Sequence, residues 1–330
     1  MSVCIPARNE AHALADCLER VLASDYRKLE VLVLDDNSKD ETSNLIKSFA
    51  HAGVRFIPGK ALPDGWLGKN HALEQLAREA SGELIVFIDV DTKISVTTIS
   101  QVVAMFGQDV QMSSVLPRRT DIWRVSALLG HLRYFWELVL PGTPSSSSLW
   151  AIRREMMIDK LDGFSRLRFH AQPERELAAM FHQMKAYSCC ISPRALGVSY
   201  EKRWASELET SERLLWPLLR SRVSTGIIVS SCLLVWVACV ISLVGAIIMP
   251  AVAWWVVAAW SCGYIAYATY LRLMWSRGWL IGGLLWPIIV LQELAFLLFS
   301  MYRYASKTAT WKGRLITGAT ENQTYLTLDE

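Results

Sequence analysis

The sequence has no excess of basic residues of the kind that nucleic-acid-binding proteins carry. Its 34 lysines and arginines are nearly balanced by 31 aspartates and glutamates, which leaves a formal net charge of +3. A protein that neutralises many phosphates of a nucleic acid needs a much larger basic excess on one surface. We therefore expect no nucleic-acid partner.

Cysteine pairs at metal-ligand spacing and a dinucleotide-binding glycine motif are also missing, and we expect no amino-terminal leader. The seven cysteines include no Cys-x-x-Cys pair, so we expect reduced thiols rather than disulfides or a zinc site. No Gly-x-Gly-x-x-Gly follows the first predicted strand, which disfavours a dehydrogenase. Because strand-like Val3, Cys4 and Ile5 follow Met1 almost at once, we expect neither a signal peptide nor a leading membrane helix, and a catalytic part that stays in the cytosol.

Long apolar segments are abundant instead: the composition is 52% hydrophobic. Three segments are each close to the roughly 20 residues that cross a bilayer: residues 226–249, 251–271 and 279–300. Arg272 and Arg277 place the loop after the second segment in the cytosol by the positive-inside rule. Three full spans would put the basic tail around Lys312 outside, against that rule, so one segment is expected to be re-entrant or interfacial. Glu293 in the third segment is expected to have a structural partner.

In the first 120 residues, short apolar or β-branched runs alternate with segments of helical period. The predicted strands are residues 3–5, 30–34, 54–57 and 84–88, and the predicted helices between them are residues 10–22, 40–49 and 69–80. This alternation predicts an α/β fold with a mostly parallel sheet. Ligands of such open sheets bind at the carboxyl ends of the strands.

Pairs of carboxylates follow two of the predicted strands. Asp89 and Asp91 come directly after an apolar strand, and alternate side chains of an extended chain point the same way. The pair can therefore hold one hard cation that also binds two phosphate oxygens. Asp35 and Asp36 end the second strand, where their carboxylates can accept hydrogen bonds from a base or from ribose hydroxyls. Both pairs are expected at one edge of the sheet.

The first strand likewise ends in polar residues, Pro6-Ala7-Arg8-Asn9-Glu10. Taken alone, this segment is explained equally well as a plain helix start capped by Asn9. In the order Pro-Ala-Arg-Asn-Glu, Asp-Asp-Asn-Ser and Asp-x-Asp, however, residues 1 to about 200 resemble the family 2 glycosyltransferases with the GT-A fold. The segment from Trp66 to Lys69 resembles the Trp-x-Gly-Lys of members that glycosylate carotenoids and of hopanoid-associated relatives. Trp311 to Arg314 is similar to the tail of those relatives, many of which carry an extra membrane helix before the first strand.

The resemblance implies a nucleotide-sugar site, with a UDP-sugar as the expected donor, and a divalent metal. The implied nucleotide-sugar-binding residues are Pro6, Ala7, Arg8, Glu10, Asp35, Asp36, Lys69, Asp89, Arg203 and Trp204. Asp89 and Asp91 are expected to hold Mg²⁺ or Mn²⁺, whose preferred ligands are oxygens. Lys69 is expected to meet the donor diphosphate; a solvated lysine is the alternative. Arg203 and Trp204 stand in a segment similar to Gln-x-x-Arg-Trp that lacks the Gln, and an interfacial anchor explains them as well.

The acceptor-side motif of the family, Glu-Asp followed after two residues by Leu-Ala, is altered in this chain. Pro173 stands where the motif has Glu, and Glu174 stands where it has Asp. Proline suits a first helical position, which puts Glu174 in the first turn, where the helix dipole favours an ionised carboxylate. The resemblance therefore implies Glu174 as the catalytic base, with Glu176 as the competing candidate, while Asp162 is expected to cap or brace the preceding loop.

The implied function is that of a membrane-bound, inverting glycosyltransferase, located in the cell membrane as a multi-pass protein with its catalytic domain on the cytoplasmic side. The acceptor is expected to be a hydroxyl of a membrane lipid or an isoprenoid-like molecule. A polyprenyl-phosphate glycosyltransferase and a catalytically silent nucleotide- or lipid-binding scaffold are the alternatives. The expected organisation is a GT-A domain over residues 1–200 and an amphipathic interfacial helix over residues 201–224. About three transmembrane or re-entrant helices are expected over residues 225–304, and a tail over residues 305–330.

Two further segments are predicted within this organisation. Residues 121–140 are expected to form a helix, and residues 141–148 a mobile loop over or beside the site.

Overall fold

The computed structural model describes residues 1–121, 133–139, 142–219, 222–249, 251, 253–275 and 277–316. Most of the helix predicted over residues 121–140 lies outside these ranges, and its described part, Arg133–Val139, is helical. The described residues form two compact units. The first contains residues 1–118, 142–201 and 312–316; the second contains the described residues between 119 and 139 and between 202 and 311.

The strands are short and most lie in the first 200 residues. In chain order they are β1 Ser2–Ala7, β2 Glu30–Asp35, β3 Val54–Pro58, β4 Leu84–Ile88, β5 Thr92–Lys93, β6 Met112–Leu116, β7 Arg118–Arg119, β8 Leu149–Arg153, β9 Tyr187–Ile191, β10 Ser199–Tyr200, β11 Thr310–Trp311 and β12 Arg314–Leu315. The α-helices are α1 Ala11–Leu22, α2 Thr42–Ser48, α3 Gly68–Glu79, α4 Thr98–Ala104, α5 Arg133–Val139, α6 Pro173–Gln183, α7 Trp204–Leu219, α8 Arg222–Ile248, α9 Ala253–Met274, α10 Trp279–Gly283 and α11 Trp286–Ala305. Each of the four strands predicted from sequence is present, with ends that differ by at most two residues.

A seven-stranded sheet in the order β3-β2-β1-β4-β8-β6-β9 forms the centre of the first unit. Strands β3, β2, β1 and β4 are parallel neighbours, and β6 pairs with β9 in parallel. Only β8 runs the other way, because it is antiparallel to both β4 and β6. The predicted α/β fold with a mostly parallel sheet is therefore confirmed.

Both faces of this sheet are covered. Val3 and Ile5 of β1 pack into one apolar core, whereas Cys4 between them packs into the other. This division follows from the alternation of side chains along a strand, and burial on both faces explains why these strands are apolar throughout. Helix α1 covers one face with Leu14, Cys17, Leu18 and Val21, the residues whose spacing predicted it. Burying a side chain such as Leu18 contributes roughly 1.5–3 kcal/mol.

The second unit is helical and contains two described helices that are long and apolar enough to cross a membrane, Gly226–Ile248 and Trp286–Ala305. Large apolar side chains of the first of these are exposed, for example Leu234 at 71% and Ile241 at 64%. A contiguous exposed apolar surface of this kind is typical of a membrane or protein contact. Helix α9, which covers the second predicted segment, exposes Trp254 and Trp255, and tryptophan is enriched at membrane–water interfaces.

The third predicted segment, residues 279–300, is divided between two helices. Helix α10 ends at Gly283, and α11 begins at Trp286 with a proline in its first turn. Proline fits a first turn but removes a hydrogen bond and clashes inside a helix, so the break falls there. The structural partner expected for Glu293 is found within this unit: the indole N–H of Trp136 donates to its Oε2 at 2.6 Å.

Candidate active site

The polar ends of three neighbouring strands meet at the carboxyl edge of the sheet. Strand β1 lies between β2 and β4. Ala7 at the end of β1 is in register with Asp35 at the end of β2, and the backbone N–H of Asp36 donates to the Ala7 carbonyl at 2.8 Å. Asp89 follows the last residue of β4 directly. The sheet therefore brings the three motifs predicted from sequence to one edge.

Asp89 is held by two side chains. The ammonium of Lys69 pairs with its Oδ1 at 2.6 Å, and the hydroxyl of Ser147 donates to its Oδ2 at 3.0 Å. Lys69 lies in the first turn of α3, and its side chain is only 12% exposed. It is therefore not a solvated surface lysine. A compact ammonium that is fixed at this edge can neutralise a second anion beside Asp89.

Asp91 acts on the same part of the edge through its charge. Burial raises the pKa of the Glu10 carboxyl; Lys312 opposes the rise, and Asp91 and Asp89 add to it. Burial also raises the pKa of the Cys17 thiol, to about 12, and Asp91 contributes to this rise. Asp89 and Asp91 therefore lie close enough to Glu10 for their charges to act on it.

The donor set suits a hard metal only if further oxygen ligands come from a bound molecule. Among the described residues, no group of three or more His, Cys, Asp and Glu side chains is arranged to hold a metal ion. The role of Asp89 and Asp91 as ligands of Mg²⁺ or Mn²⁺ stays a prediction, and further oxygen ligands would have to come from a bound molecule. Such an incomplete set fits a metal that also binds phosphate oxygens.

The two carboxylates at the end of β2 have different partners. Asp35 is buried, and its Oδ1 accepts a hydrogen bond from the backbone N–H of Ser38 at 3.1 Å, which closes the turn after the strand. Asp36 pairs through Oδ2 with the guanidinium of Arg314 at 2.6 Å. Burial raises the pKa of the Asp36 carboxyl, while Arg314 and Arg8 lower it. Asp35 thus shapes the loop, and Asp36 holds the guanidinium of Arg314.

Arg8 braces the loop after β2. Its Nη1 donates to the carbonyls of Asp36 and Asn37, and its Nε donates to the carbonyl of Lys312 at 3.3 Å. Pro6 and Ala7 lie at the end of β1, where they pair with β2. Whether these three residues also bind a nucleotide-sugar stays a prediction.

Asn9 does not cap the first helix, which was the alternative explanation of this segment. The N-cap of α1 is Glu10, and Asn9 adopts a positive φ of 53°. Its side-chain oxygen accepts the backbone N–H of Lys39 at 2.8 Å, on the neighbouring loop. The first helical N–H, that of Ala11, donates instead to the carboxylate of Asp40 at 3.2 Å. A distant acidic residue therefore replaces the local cap, and Asn9 ties the two loops together.

Glu174 lies in the first turn of α6, where the sequence predicted it. Pro173 occupies the first turn, and Glu174 is only 2% exposed. Glu176 shares that turn but is partly exposed. A helix start favours an ionised carboxylate, and a buried one is shielded from competing water. The two candidates for the catalytic base thus differ in burial, and the catalytic role of either stays a prediction.

The loop that leads into α6 is fastened to α3 by Asn70. The side-chain amide of Asn70 donates to the carbonyls of Leu167 at 2.7 Å and His170 at 2.9 Å. Asn70 is only 1% exposed and follows Lys69 in the chain. It therefore connects the element that carries Lys69 with the segment that carries Glu174. Sequence reasoning missed this role, since an Asn inside a helical pattern has no local signature for it.

The serine-rich segment before β8 is not the mobile loop that its composition predicted. Ser145, Ser146, Ser147 and Ser148 are at most 6% exposed. Because β8 pairs with β4, the residues before it lie alongside the end of β4, and the backbone N–H of Asp89 donates to the Ser148 carbonyl at 3.1 Å. The segment is part of the wall of the site.

Asp162 braces a turn, as expected. Its Oδ1 accepts a hydrogen bond from Arg78 at 2.7 Å, and both Asp162 and Gly163 have positive φ angles. A side chain at Gly163 would collide with the carboxylate of Glu74, which accepts the backbone N–H of Phe164 at 2.6 Å. The glycine is therefore required by a close approach.

Arg203 and Trp204 belong to the second unit, at the start of α7. Both are exposed, and the ring of Trp204 lies 6.2 Å from that of Phe296. In the first unit, the preceding strand β10 pairs with β5, so that Tyr200 is opposite Thr92, next to Asp91. A role of Arg203 or Trp204 in nucleotide-sugar binding stays a prediction.

Known proteins share both the sequence pattern and the fold. Residues 2–140 match the model of Glycosyl transferase family 2. An N-acetylglucosaminyltransferase of Mesorhizobium japonicum is 24% identical over 249 residues, which are 67% of this chain and 58% of that protein. A 4,4'-diaponeurosporenoate glycosyltransferase of Staphylococcus aureus is 32% identical over 92 residues, 28% of this chain and 24% of that protein. The chain thus spans less than two thirds of the length of these relatives.

A solved structure covers nearly the whole chain. The mannosyltransferase PcManGT from Pyrobaculum calidifontis, determined in complex with GDP-Man and Mn²⁺, superposes with a TM-score of 0.59 over 92% of this chain and 86% of its own, at 19% identity. At this identity the likeness concerns the fold. The family match over residues 2–140 and the glycosyltransferase relatives place this part of the chain with the family 2 glycosyltransferases, and the likeness to the solved structure indicates that the first unit has the GT-A fold.

Proposed function

We propose that this chain is a metal-dependent, inverting glycosyltransferase that moves a sugar from a nucleotide-sugar, a UDP-sugar, to a hydroxyl of a membrane lipid or an isoprenoid-like acceptor. The observation that carries the proposal is the gathering of acidic strand ends at one sheet edge around Lys69. Asp36, Asp89 and Asp91 lie there with a lysine that pairs directly with Asp89. Such an edge is where open α/β sheets bind nucleotides.

Asp89 and Asp91 would hold Mg²⁺ or Mn²⁺ together with the diphosphate of the donor. The metal would neutralise the charge that develops on the departing nucleoside diphosphate. Lys69 would add its own positive charge from the first turn of α3. The short Lys69–Asp89 contact supports this role, because it fixes the ammonium where the diphosphate would lie.

Glu174 would act as the general base. It would take the proton of the acceptor hydroxyl while the acceptor oxygen bonds to the anomeric carbon from the face opposite the leaving group. The bond from that carbon to the diphosphate oxygen breaks, and the electron pair stays on the leaving oxygen. The configuration at the anomeric carbon is therefore inverted. General base catalysis typically contributes on the order of 10² to 10⁴ in rate. The burial of Glu174 in a first helical turn supports this assignment.

The acceptor is proposed to come from the bilayer. The apolar helices Gly226–Ile248 and Trp286–Ala305 support a membrane location, and the exposed side chains of the first favour contact with lipid. One relative is named as a 4,4'-diaponeurosporenoate glycosyltransferase. We further propose a multi-pass protein whose active site faces the cytosol, on the basis of Arg272 in the last turn of α9 and Arg277 after it.

The full-length protein in lipid nanodiscs with Mn²⁺ allows a direct test. Nucleotide-sugars are first screened by thermal shift, because a ligand that binds the folded state raises the melting temperature. The best donor is then offered with an isoprenoid alcohol or with a polyprenyl phosphate. We expect sugar transfer to the alcohol, loss of that transfer in E174Q by at least 10²-fold, and little change in E176Q, the matched control.

Other outcomes would favour the rival functions. Transfer to polyprenyl phosphate that survives E174Q would indicate an acceptor that is already an anion and needs no base. Absence of nucleotide-sugar binding, of transfer and of metal-dependent hydrolysis of the donor would indicate a silent scaffold. Addition of EDTA is expected to abolish transfer and Mn²⁺ to restore it; transfer that resists EDTA would refute the metal-dependent mechanism.

A further inference from the structure

The segment Lys312-Gly313-Arg314 lies at the same sheet edge as the proposed donor site, although it is about 300 residues away from β1 in the chain. Lys312 and Gly313 have φ angles of 47° and 76°, which make a tight turn between β11 and β12. Two consecutive residues with positive φ are typical of a two-residue type I′ turn. The turn presents one cation on either side of a glycine.

Both cations contact residues that follow the first two strands. The ammonium of Lys312 pairs with Glu10 Oε1 at 2.8 Å, and the guanidinium of Arg314 pairs with Asp36 Oδ2 at 2.6 Å. The Lys312 carbonyl also accepts a hydrogen bond from Arg8 at 3.3 Å. These groups belong to one compact unit, and the turn packs directly against the edge of the sheet.

Arg314 also lies against the first residue of α3. A Cβ atom added to Gly68 would lie 2.6 Å from its Nη1. Gly68 precedes Lys69, which pairs with Asp89. The absence of a side chain at Gly68 therefore leaves the space that the Arg314 guanidinium occupies, one residue away from the lysine of the proposed diphosphate site.

Without the turn, the edge would be strongly acidic. The named side chains there are Arg8, Lys69, Lys312 and Arg314 on the basic side and Glu10, Asp35, Asp36, Asp89 and Asp91 on the acidic side. Without Lys312 and Arg314, only two cations would face five carboxylates. A nucleoside diphosphate is itself an anion, and like charges repel it unless cations stand nearby.

We propose that the Lys312-Gly313-Arg314 turn is a diphosphate-binding element of the donor site. This inference rests on the proposed function. Glu10 and Asp36 act as positioning residues that hold the two cations at the edge. A bound nucleoside diphosphate then receives charge-assisted hydrogen bonds from Lys312 and Arg314, of which Arg314 offers a planar fork suited to phosphate oxygens.

The test measures the dissociation constants of UDP and GDP for the full-length protein in nanodiscs with Mn²⁺, by calorimetry, and those of the corresponding nucleosides. The variants K312M and R314M remove one charge each with little change in size. G68A displaces the Arg314 side chain without removing its charge, at a helix position where alanine is favourable. The matched controls are K28M and R27M, two exposed cations before β2 at the opposite end of the strands, and G107A, where a Cβ has open space.

We expect K312M, R314M and G68A each to weaken binding of the better nucleoside diphosphate by about tenfold or more, since a hydrogen bond to a charged group contributes about that factor. Nucleoside binding should change by less than threefold, and the controls should bind as the parent protein does. If the three variants bind the diphosphate as tightly as the parent does, this inference is overturned but the proposed function is not. Tighter binding by the variants would overturn it too and would show that the turn blocks the site. No binding of nucleotides by the parent protein would instead refute the proposed function.

Discussion

Substitution of Asn70 by alanine should loosen the segment that carries the proposed base. Asn70 is 1% exposed and donates both amide hydrogens to carbonyls of the loop before α6, those of Leu167 and His170. No water can replace the amide easily at a position this buried. The substitution therefore removes two hydrogen bonds, and the carbonyl oxygens of Leu167 and His170 each lose one donor.

The magnitude follows from these two contacts. A lost neutral hydrogen bond costs about 0.5–1.5 kcal/mol, and a buried acceptor left without a partner costs about 1–3 kcal/mol. Because the His170 and Leu167 carbonyls can recover part of this through relaxation, we expect a loss of about 2–4 kcal/mol in the stability of the first unit. In a unit of this size, such a loss lowers the melting temperature by on the order of 10 °C.

The assay is thermal unfolding of the full-length protein in nanodiscs, followed by the kinetics of sugar transfer. The variant N70D keeps the shape of the side chain but loses its donors, so it should melt as low as N70A. N44A is the matched control, because Asn44 makes a single exposed bond to Glu41, and it should melt within about 2 °C of the parent. In N70A, kcat should fall more than KM for the donor rises. A melting temperature of N70A or N70D within 2 °C of the parent would refute the reasoning.

Two further predictions concern buried charges. Arg119 pairs with Asp121 at 2.8 Å and with Glu207 at 2.7 Å, and the three side chains are at most 4% exposed. R119M should therefore destabilise the second unit by about 3–5 kcal/mol, because it leaves two buried carboxylates without their cation. The measurement is the melting temperature in nanodiscs, and a variant that melts like the parent would contradict the prediction. Burial raises the pKa of Glu10 in the folded state above its ordinary value, so the folded chain keeps this proton to a higher pH than the unfolded chain does. Stability should fall with rising pH between the two values, and E10Q should lose this part of the pH dependence of the melting temperature. An identical pH profile for E10Q and the parent would show that Glu10 titrates normally.

The central sheet and the grouping of the site were accessible from sequence because both depend on local pattern. Apolar runs such as Leu84–Ile88 mark strands buried on two faces, and polar residues such as Asp35 and Asp89 mark where the strands end. Parallel neighbours then bring these ends together without any knowledge of loops. Pro173 similarly marks a helix start by its own chemistry.

The contacts that complete the site were not accessible in this way, because they join residues far apart in the chain. Asn70 bonds to carbonyls almost 100 residues later, and Ser147 donates to a carboxylate 58 residues before it. Serine and proline are typical of loops, so composition alone predicts a mobile segment before β8. Its burial follows from strand pairing between β4 and β8, which no local pattern reveals.

Residues 312–314 would be lost from a protein shortened to the first 201 residues. A shortened protein that ends near residue 201 would keep the sheet, Lys69 and Glu174, and it would resemble a complete catalytic domain. It would lack Lys312 and Arg314, whose charges offset Glu10 and Asp36 at the donor edge. Repulsion between the remaining carboxylates would then oppose binding of any anionic ligand. If the turn binds the diphosphate as proposed, such a fragment should bind nucleoside diphosphates more weakly than the chain that includes residues 312–314.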